Sequence, residues 1–257
     1  IRNSTDAESY RVSLFSDENI EYYNRMSIAK LFYNNKGTED IRLPFQQFRS
    51  LDQMYLNTKI ATLDTRNKKV ITFSKQEYSY DTLVLASGSV PIKPSIPGID
   101  NARIFVVYKE HEVINARRLI QDHDLKHAVV WGGGILGLET ACALAKSGLE
   151  VDVLERSSSI MARNLDKICS ELLIQQLKNQ AVNTICNTTI TDIKSKNQKL
   201  TLGLNNGTLK TTDVLFVCLG FSPNITTVEK SEIEINRGIL VNDKMQSSVE
   251  GIYAIGA

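Results

Sequence analysis

Three adjacent glycines at positions 132–134 stand between an apolar run and a segment with helical periodicity, and this arrangement constrains the fold more than any other feature. The surrounding stretch reads HAVVWGGGILGLETACALAKSGLEVDVLERSS from residue 127. The unbroken apolar run at 128–131 predicts a strand buried on both faces of a parallel sheet. The small and apolar residues at 136–146, followed by Gly148, predict a helix, and the apolar residues at 151–154 predict a second strand. The predicted order is therefore strand, glycine turn, helix, strand.

The glycines fit the pattern G-x-G-x-x-G at Gly132, Gly134 and Gly137. The first permits a tight turn, the second lets a pyrophosphate approach the backbone, and the third lets the helix pack closely on the strand. The backbone N–H groups at the start of the helix, including those of Ile135 and Leu136, would face the phosphates together with the positive end of the helix dipole. The turn therefore predicts a dinucleotide site.

The acidic residue Glu155 ends the second predicted strand, 18 positions after Gly137. A carboxylate at this position accepts hydrogen bonds from both ribose hydroxyls of an adenosine and repels a 2′-phosphate. The neighbouring Arg156 is the one feature that favours NADPH. The alternative is a glycine-rich turn in an ordinary strand–helix–strand unit, but here the strand, the helix and the acid all occupy the expected places. We therefore predict NAD(H) as the ligand.

Length and composition are compatible with a globular protein of two modest domains. The chain has 257 residues, of which 42% are hydrophobic and 23% are charged, and its 30 lysines and arginines nearly balance 29 aspartates and glutamates. Nothing in this balance favours nucleic acid or an anionic membrane as a partner, and no apolar run approaches the roughly 20 residues that span a bilayer. We expect a cytoplasmic protein.

The cysteines are widely spaced, without a C-x-x-C or C-x-x-x-x-C pattern. They lie in apolar or helical contexts at Cys142, Cys169, Cys186 and Cys218. Buried free thiols are the simplest interpretation, so neither a metal site nor a redox-active disulfide is predicted.

The rest of the chain predicts a nucleotide domain inserted into a second domain. Residues 51–90 contain short predicted strands, including a buried strand that ends at Gly88, and another strand is predicted at 10–15. Prolines at 91, 94 and 97 indicate a crossover over 91–103. The expected organisation is a first domain at 1–103, a nucleotide domain at 104–225 with a helix at 165–179 and a hairpin at 205–207, and a return to the first domain with two apolar strands at 226–257. Both ends of the chain look cut.

Four segments occur in the order found in a known family of flavoproteins. They are YDTLVLASGSVPIKPSIPG, VVWGGGILGLETACALAKSGLEVDVLER, LGFSPN and GILVNDKMQSSVEGIYAIG. The chain thus resembles the FAD-dependent pyridine nucleotide-disulfide oxidoreductases. Its segments YYNRMSIAK and IMARNLD are similar to those of rubredoxin and ferredoxin reductases and of the flavin portion of NAD(P)H-nitrite reductases. The resemblance covers nearly the whole chain and implies an α/β fold with two Rossmann-like, three-layer ββα domains, the NAD domain inserted into the FAD domain.

The resemblance also implies a pair of charged residues at the flavin. Lys30 matches the family lysine near the flavin N5 edge, and Glu139 matches the acid that pairs with it. Taken alone, Lys30 would be a solvated surface lysine, and Glu139 would be an acid favoured by the dipole in the first turn of a helix.

Further cofactor contacts follow from the same resemblance. Asp17 or Glu18 would touch the FAD ribose, although Ser16 occupies the position where the family usually has an acid. The other implied contacts are Arg25 with the flavin phosphates, Ile60 with the adenine, Ala86, Ser87 and Gly88 beside the FAD, and Gly220 at the nicotinamide half of NAD.

Two departures from the family pattern concern FAD. The family's first glycine loop, which wraps the FAD pyrophosphate, would precede Ile1, and Ala257 stands where the family has an acidic residue near the ribityl chain. A chain with these limits is expected to hold FAD poorly. The cysteine that disulfide reductases carry near the flavin is missing from EYYNRMSIAK, which disfavours disulfide reduction.

The resemblance implies an enzyme that passes hydride from NADH to FAD and electrons onward to rubredoxin, ferredoxin or a siroheme domain. The protein would use no metal of its own, and homodimer formation is left open. Rival enzyme activities are an NADH oxidase that uses oxygen and a relative of coenzyme A disulfide reductase that has lost its cysteine. A rival of another class is a redox-silent NAD-binding interaction module.

Overall fold

The computed structural model describes residues 10–19, 22–33, 36–43 and 52–256. Ile1 and Ala257, on which the expectation of weak FAD binding depends, lie outside these ranges. The strands in chain order are β1 (Ser13–Phe15), β2 (Gln53–Tyr55), β3 (Ile60–Asp64), β4 (Lys69–Thr72), β5 (Glu77–Ser79), β6 (Leu83–Leu85), β7 (Ser89–Pro91), β8 (Ile104–Val106), β9 (His127–Trp131), β10 (Glu150–Leu154), β11 (Val182–Ile185), β12 (Ile190–Lys196), β13 (Lys199–Leu204), β14 (Leu209–Thr212), β15 (Val214–Val217), β16 (Phe221–Pro223) and β17 (Ile252–Ala254). The α-helices are α1 (Glu110–Asp122), α2 (Ile135–Lys146) and α3 (Lys167–Lys178), and two 3₁₀ helices span Arg25–Phe32 and Thr38–Ile41. None of the helices in the described ranges is long and apolar enough to cross a bilayer.

The chain divides into two compact units. The described residues of Ile1–Tyr23, Arg42–Val90 and Ser222–Ala257 form the first unit, and those of Asn24–Ile41 and Pro91–Phe221 form the second. The second unit is therefore an insertion into the first, and it also takes a separate segment from the first part of the chain.

The second unit is built on a five-stranded parallel sheet with the strand order β11-β10-β9-β15-β8. Strand β9 lies in the middle, where Ala128 is paired with Val151 on one side and with Val214 on the other. Residues 128–131 of β9 are at most 3% exposed, because both faces of the sheet are covered. This confirms the buried parallel strand predicted before the glycine turn.

Two different layers cover the faces of this sheet. Helix α1 packs on β8, and α2 packs on β9 and β10. On the other face, the antiparallel sheet β12-β13-β14 places the buried Leu200 and Leu202 in one core with Val129 and Trp131. Since alternate residues of a strand point to opposite faces, Ala128 and Val130 face the helices. The helix layer, the parallel sheet and the antiparallel sheet give the three-layer ββα arrangement that the resemblance implied.

The first unit contains the antiparallel sheet β3-β4-β5 and the parallel pairs β1-β2 and β6-β17. Leu63 and Val70 from the antiparallel sheet share a core with Leu85 of β6 and Ile252 of β17. The hairpin β3-β4 confirms two of the short strands predicted within residues 51–90.

Two predictions for the first unit are wrong. Strand β6 ends at Leu85, before Gly88, and Val84 is 48% exposed, so this strand is not buried on both faces. Of the two apolar strands predicted at the end of the chain, β17 is present, whereas Ile239 forms only an isolated bridge with Ile235. Among the described strands, β6 pairs with β17 alone, so it lies in a two-stranded sheet and not at the centre of a larger one.

The boundaries between the units differ from the expected ones. Residues 91–103, which the sequence predicts to be part of the first domain, lie in the second unit. The carbonyl group of Pro97 accepts a hydrogen bond from the N–H group of Ile193 in β12, at 2.9 Å. A Cβ atom at Gly98 would lie 2.0 Å from the carbonyl oxygen of Ile193, so the chain here is pressed against β12. The second unit ends at Phe221, rather than at residue 225.

A buried carboxylate joins the starts of β9 and β15. Asp213 Oδ2 accepts hydrogen bonds from the backbone N–H groups of Lys126, at 3.1 Å, and His127, at 3.0 Å, while Lys199 Nζ lies 3.2 Å from Oδ1. Burial, the largest influence, would raise the pKa of Asp213, but the hydrogen bonds and the Lys199 charge outweigh it and lower the pKa. The ionised carboxylate is therefore the form that stabilises this end of the sheet.

We expect Asp213→Asn to reduce the free energy of unfolding at pH 7 by about 1–3 kcal/mol, because charge-assisted hydrogen bonds to the two N–H groups are lost. A carboxyl group with a lowered folded-state pKa contributes stability above its unfolded pKa of about 3.9, and this contribution disappears as the pH falls through the folded pKa. Denaturant unfolding at pH 7 and at acidic pH measures both effects. Asp122→Asn, on the exposed end of α1, is the control. An equal loss in the two variants at pH 7 would contradict the role of Asp213.

Candidate dinucleotide site

Packing in the second unit requires glycine at the first and third positions of the glycine pattern. Gly132 has a φ of 122°, and a Cβ atom there would lie 2.2 Å from the carbonyl oxygen of Cys218. A Cβ atom at Gly137 would lie 1.9 Å from the carbonyl oxygen of Gly132. Both distances are far inside van der Waals contact, so a side chain at either position would push the turn away from its neighbours. Between β9 and α2, the backbone at Gly132 therefore contacts the backbone at Cys218, and the backbone at Gly137 contacts that at Gly132.

The second glycine of the pattern faces open space instead. Gly134 is the N-cap residue of α2, with φ −84° and ψ −177°, and a Cβ atom there would have no heavy atom within 4 Å. Packing therefore does not explain a glycine at this position. Gly134 offers no capping side chain, and the described residues show no acceptor for the N–H groups of Ile135 and Leu136. Open backbone and unpaired N–H groups at a helix N-terminus fit a phosphate group.

The carboxylate of Glu155 lies against the glycine turn. Its Oε2 accepts a hydrogen bond from the N–H group of Gly133, at 2.8 Å, and its Oε1 accepts one from Ser157, at 2.7 Å. The parallel pairing of Leu154 with Trp131 brings the ends of β10 and β9 together, which explains this contact. Each carboxylate oxygen keeps a second lone pair, so the group can still accept hydrogen bonds from ribose hydroxyls.

The turn that follows β10 packs against the glycine turn and is hydrogen-bonded to it. The N–H group of Met161 donates to the carbonyl oxygen of Gly133, at 2.9 Å, and Met161 has a left-handed φ of 52°. Ile160 is fully buried, and its Cγ2 atom would lie 3.0 Å from a Cβ atom at Gly133. The sequence carries no signal for Ser157 as a site residue, and the only signal for Met161 is its place in the segment IMARNLD.

Gly220 follows β15 at the same end of the sheet as the glycine turn. The pairing of Val217 with Trp131 aligns the ends of β15 and β9. Gly220 is exposed, has a φ of 96°, and accepts a hydrogen bond from the N–H group of Ile92, at 2.9 Å. The carboxyl ends of β9, β10 and β15 thus carry the glycine turn, Glu155 and Gly220, which is where open α/β sheets bind their ligands.

Most residues of the first unit that are predicted to contact FAD lie in one turn, at residues 86–88. Gly88 has a left-handed φ of 63°, and its carbonyl oxygen accepts a hydrogen bond from the N–H group of Asn224, at 2.8 Å. The Ser87 hydroxyl donates to the carbonyl oxygen of Asn224, at 2.7 Å. Ala86 is exposed beside this turn, whereas the half-buried Ile60 begins β3. Ser87 is also exposed, and contact of this turn with FAD stays a prediction.

The end of β1 in the first unit resembles the end of β10 in the second. Ser16 Oγ accepts a hydrogen bond from the N–H group of Glu18, at 3.2 Å, with the same two-residue spacing as Glu155 and Ser157. The Tyr23 hydroxyl donates to Glu18 Oε2, at 2.7 Å. A carboxylate is therefore present close to the position where the family acid is expected, although it belongs to Glu18 and not to residue 16.

Arg25 and Lys30 lie on the 3₁₀ helix Arg25–Phe32, which belongs to the second unit. The Arg25 guanidinium lies 4.4 Å from the centre of the Tyr108 ring, and Nη1 donates to the Tyr108 carbonyl oxygen, at 2.8 Å. Lys30 and Glu139 are both exposed, and the described residues include no ion pair between them. Glu139 is the fifth residue of α2 and so lies beyond the first turn, which weakens the helix dipole as an explanation for an acid there.

The thiol groups of the four cysteines are free, and each has a raised pKa. Burial raises the pKa of Cys142, Cys186 and Cys218, for Cys218 to about 12. The expectation of buried cysteines is wrong, because Cys142, Cys186 and Cys218 are half-buried and Cys169 is exposed. A hydrogen bond with Asp166 raises the pKa of Cys169. A raised pKa lowers the fraction of thiolate, which is the nucleophilic form of a cysteine. The described residues contain no group of three or more His, Cys, Asp or Glu that could hold a metal ion.

Comparison with known proteins finds relatives whose names describe NAD-dependent or NAD(P)H-dependent reductases. The nitrite reductase [NAD(P)H] of Bacillus subtilis is 32% identical over 98% of this chain, which spans 31% of that protein. The rubredoxin-NAD(+) reductase of Pseudomonas putida is 28% identical over 95% of the chain, which spans 64% of that protein. The structure of an NAD-dependent persulfide reductase from A. fulgidus matches with a TM-score of 0.87 and 26% identity, over 95% of this chain and 47% of the other.

A family profile covers almost the whole sequence. The profile described as pyridine nucleotide-disulphide oxidoreductase matches residues 2–257, which include the glycine turn, Glu155 and the candidate flavin turn. The chain therefore belongs to the pyridine nucleotide-disulphide oxidoreductase family.

Proposed function

We propose that the protein is an FAD-dependent oxidoreductase that uses NADH as its electron donor. The observation that carries this proposal is the Glu155 carboxylate, held by two backbone N–H groups beside the open Gly134 turn. Members of the family bind FAD and NAD(H). Because the chain spans only 31% of the Bacillus nitrite reductase, the acceptor and the activity of the whole protein belong to the proposal.

The residues of the second unit would bind the coenzyme. Gly134 and the N–H groups of Ile135 and Leu136 would hold the pyrophosphate, because this helix terminus is open and electropositive. Glu155 would orient the adenosine ribose, and Gly220 would border the nicotinamide. The coenzyme would thus lie along the carboxyl ends of β9, β10 and β15.

The flavin would contact the turn Ala86, Ser87 and Gly88, with Ile60 at its adenine and Arg25 at its phosphates. Bound FAD supplies hydride acceptance from NADH and the release of single electrons to a rubredoxin, ferredoxin or siroheme centre. Lys30 and Glu139 would provide charge at the reacting edge of the flavin. The names of the nitrite and rubredoxin reductases among its relatives support such an acceptor.

The test uses the full-length protein loaded with FAD. We expect NADH to bleach the flavin absorbance without oxygen, and we expect rubredoxin, ferredoxin or a siroheme protein to accelerate NADH oxidation. Turnover with oxygen that no carrier accelerates would favour an NADH oxidase. Failure of NADH to bleach the flavin, despite measurable NADH binding, would favour an interaction module and would reject the proposal.

The coenzyme preference provides a second test. We expect kcat/KM to be about tenfold or more higher for NADH than for NADPH, a difference of at least ~1.4 kcal/mol, because the Glu155 carboxylate repels a 2′-phosphate. Steady-state kinetics with both coenzymes measure the ratio, and Glu155→Gln should reduce it. Equal values in the wild type, together with a loss of NADPH activity in Arg156→Gln, would show that Arg156 binds the phosphate and would contradict the prediction.

A further inference from the structure

We infer that Arg117, assisted by Ser147, is a positioning residue for Lys30. The inference rests on the proposed function, because it assigns Lys30 to the oxidoreductase reaction. It adds a residue for which the sequence carried no signal. Arg117 lies on α1, and it reaches across to the 3₁₀ helix Arg25–Phe32 on which Lys30 lies.

Arg117 donates hydrogen bonds to the carboxyl end of this 3₁₀ helix. Its Nη1 atom lies 2.8 Å from the carbonyl oxygen of Leu31 and 2.5 Å from that of Lys36, with the carbonyl oxygen of Tyr33 more distant at 3.5 Å. A guanidinium is the suitable donor here, because it stays ionised and presents several N–H groups in a fixed plane. The arginine therefore joins the end of the helix to the segment that follows it.

Ser147 makes a second polar contact at the same end of the helix. Ser147 follows the last residue of α2. Its hydroxyl lies 2.6 Å from the carbonyl oxygen of Phe32 and 3.0 Å from that of Ala143 in α2, so Phe32 is the nearer acceptor. The carbonyl groups of Leu31 and Phe32 are thus both satisfied from outside the helix. The last carbonyl groups of a helix have no hydrogen-bond partner within it, so these outside donors stabilise the end of the helix.

The buried face of the 3₁₀ helix packs against the rest of the second unit. Ile28, Ala29, Leu31 and Phe32 are at most 5% exposed, and the Phe32 ring meets Phe216 of β15 edge to face, with centroids 5.2 Å apart. Lys30 lies between these buried residues and is itself exposed. The buried side chains fix the face on which the helix lies, and this leaves Lys30 on the outside.

Arg117 acts close to the backbone of Lys30. The carbonyl oxygen of Lys30 accepts a hydrogen bond from the N–H group of Tyr33, at 3.0 Å, and the next carbonyl group, that of Leu31, is the one that Arg117 binds. The helix has eight residues, whereas 3₁₀ stretches longer than three or four residues are uncommon because their hydrogen-bond geometry is poor. Such a helix depends on outside contacts, so the loss of Arg117 should let its end, and with it Lys30, move.

The first experiment measures amide hydrogen exchange in the full-length, FAD-loaded protein. We expect Arg117→Met to increase exchange of the amides at 28–33 by about tenfold or more, with no change in α3. Arg117→Lys should restore part of the protection, because an ammonium group can still donate to a carbonyl oxygen. Arg118→Met is the matched control, since Arg118 is the adjacent, exposed residue of the same helix. Equal exchange in the Arg117→Met and Arg118→Met proteins would overturn the inference.

The second experiment separates positioning from a general structural role. We expect Arg117→Met to slow flavin reduction by NADH about fivefold or more while the NADH dissociation constant stays within about twofold. In a Lys30→Met background the same substitution should have no further effect on the rate, because no ammonium group is left to position. An equal loss in both backgrounds, or a Lys30→Met protein as fast as the wild type, would overturn the role of Arg117.

Failure of the proposed function would be recognised separately. A wild-type protein whose flavin NADH does not reduce would reject the oxidoreductase activity and the link between Arg117 and Lys30. The exchange comparison would still show whether Arg117 anchors the helix, because it does not depend on turnover.

Discussion

Gly134→Ala is expected to weaken NADH binding by about ten- to a hundredfold while the protein keeps its fold. A Cβ atom at this position meets no heavy atom of the protein within 4 Å, and its φ of −84° suits alanine. The added methyl group would instead occupy the space through which a pyrophosphate approaches the N–H groups of α2. The loss of charge-assisted hydrogen bonds of ~1.5–3 kcal/mol accounts for the size of the effect. Titration calorimetry and thermal unfolding measure binding and stability on the same samples.

Gly132→Ala is the matched comparison, with the opposite expected result. A Cβ atom there would lie 2.2 Å from the Cys218 carbonyl oxygen, and the φ of 122° is unfavourable for any residue but glycine. We expect the free energy of unfolding to fall by about 3 kcal/mol or more, from backbone strain and overpacking together. Normal NADH affinity in Gly134→Ala would show that the coenzyme does not approach this glycine. It would also leave the residue without an explanation, since packing does not require it.

Lys30→Met and Glu139→Gln are each expected to slow flavin reduction by NADH about ten- to a hundredfold, or about 1.4 to 2.7 kcal/mol. Beside the flavin, each charge would be partly desolvated and would lower the cost of burying the other. Removing either charge would therefore leave its partner unpaired beside the ring that is reduced. NADH affinity should barely change, because the glycine turn and Glu155 bind the distant half of the coenzyme. Stopped-flow absorbance of the flavin in the full-length protein gives the rates.

The double variant distinguishes a charge pair from two independent residues. If Lys30 and Glu139 act together, the Lys30→Met/Glu139→Gln protein loses less than the sum of the two single losses. Since the described structure shows both side chains exposed and no ion pair between them, the pair would have to form when the cofactors bind. Additive losses, or no loss in either single variant, would identify Lys30 as a surface residue and reject the pair.

The sequence alone determined the local unit around the glycine turn. An apolar run followed by glycines, a helical repeat and a second apolar run predicts β9, α2 and β10 with boundaries within one residue of the observed ones. The position of Glu155 follows from the same pattern, since two adjacent parallel strands end at the same edge of a sheet. These features depend on contacts between residues close in sequence, which hydrophobic periodicity and glycine spacing report directly.

How distant segments combine depends on contacts that the local sequence pattern does not report. The 3₁₀ helix Arg25–Phe32 joins the second unit through its buried face and through Arg117 and Ser147, which bind carbonyl groups 86 and 115 positions away. The need for glycine at position 132 comes from the Cys218 carbonyl group, because β15 pairs with β9. The weak strand near Gly88 and the exposure of Cys169 likewise depend on which neighbours cover them. Hydrophobic periodicity predicts which residues are buried. Which residues cover them depends on packing between segments that are distant in the sequence.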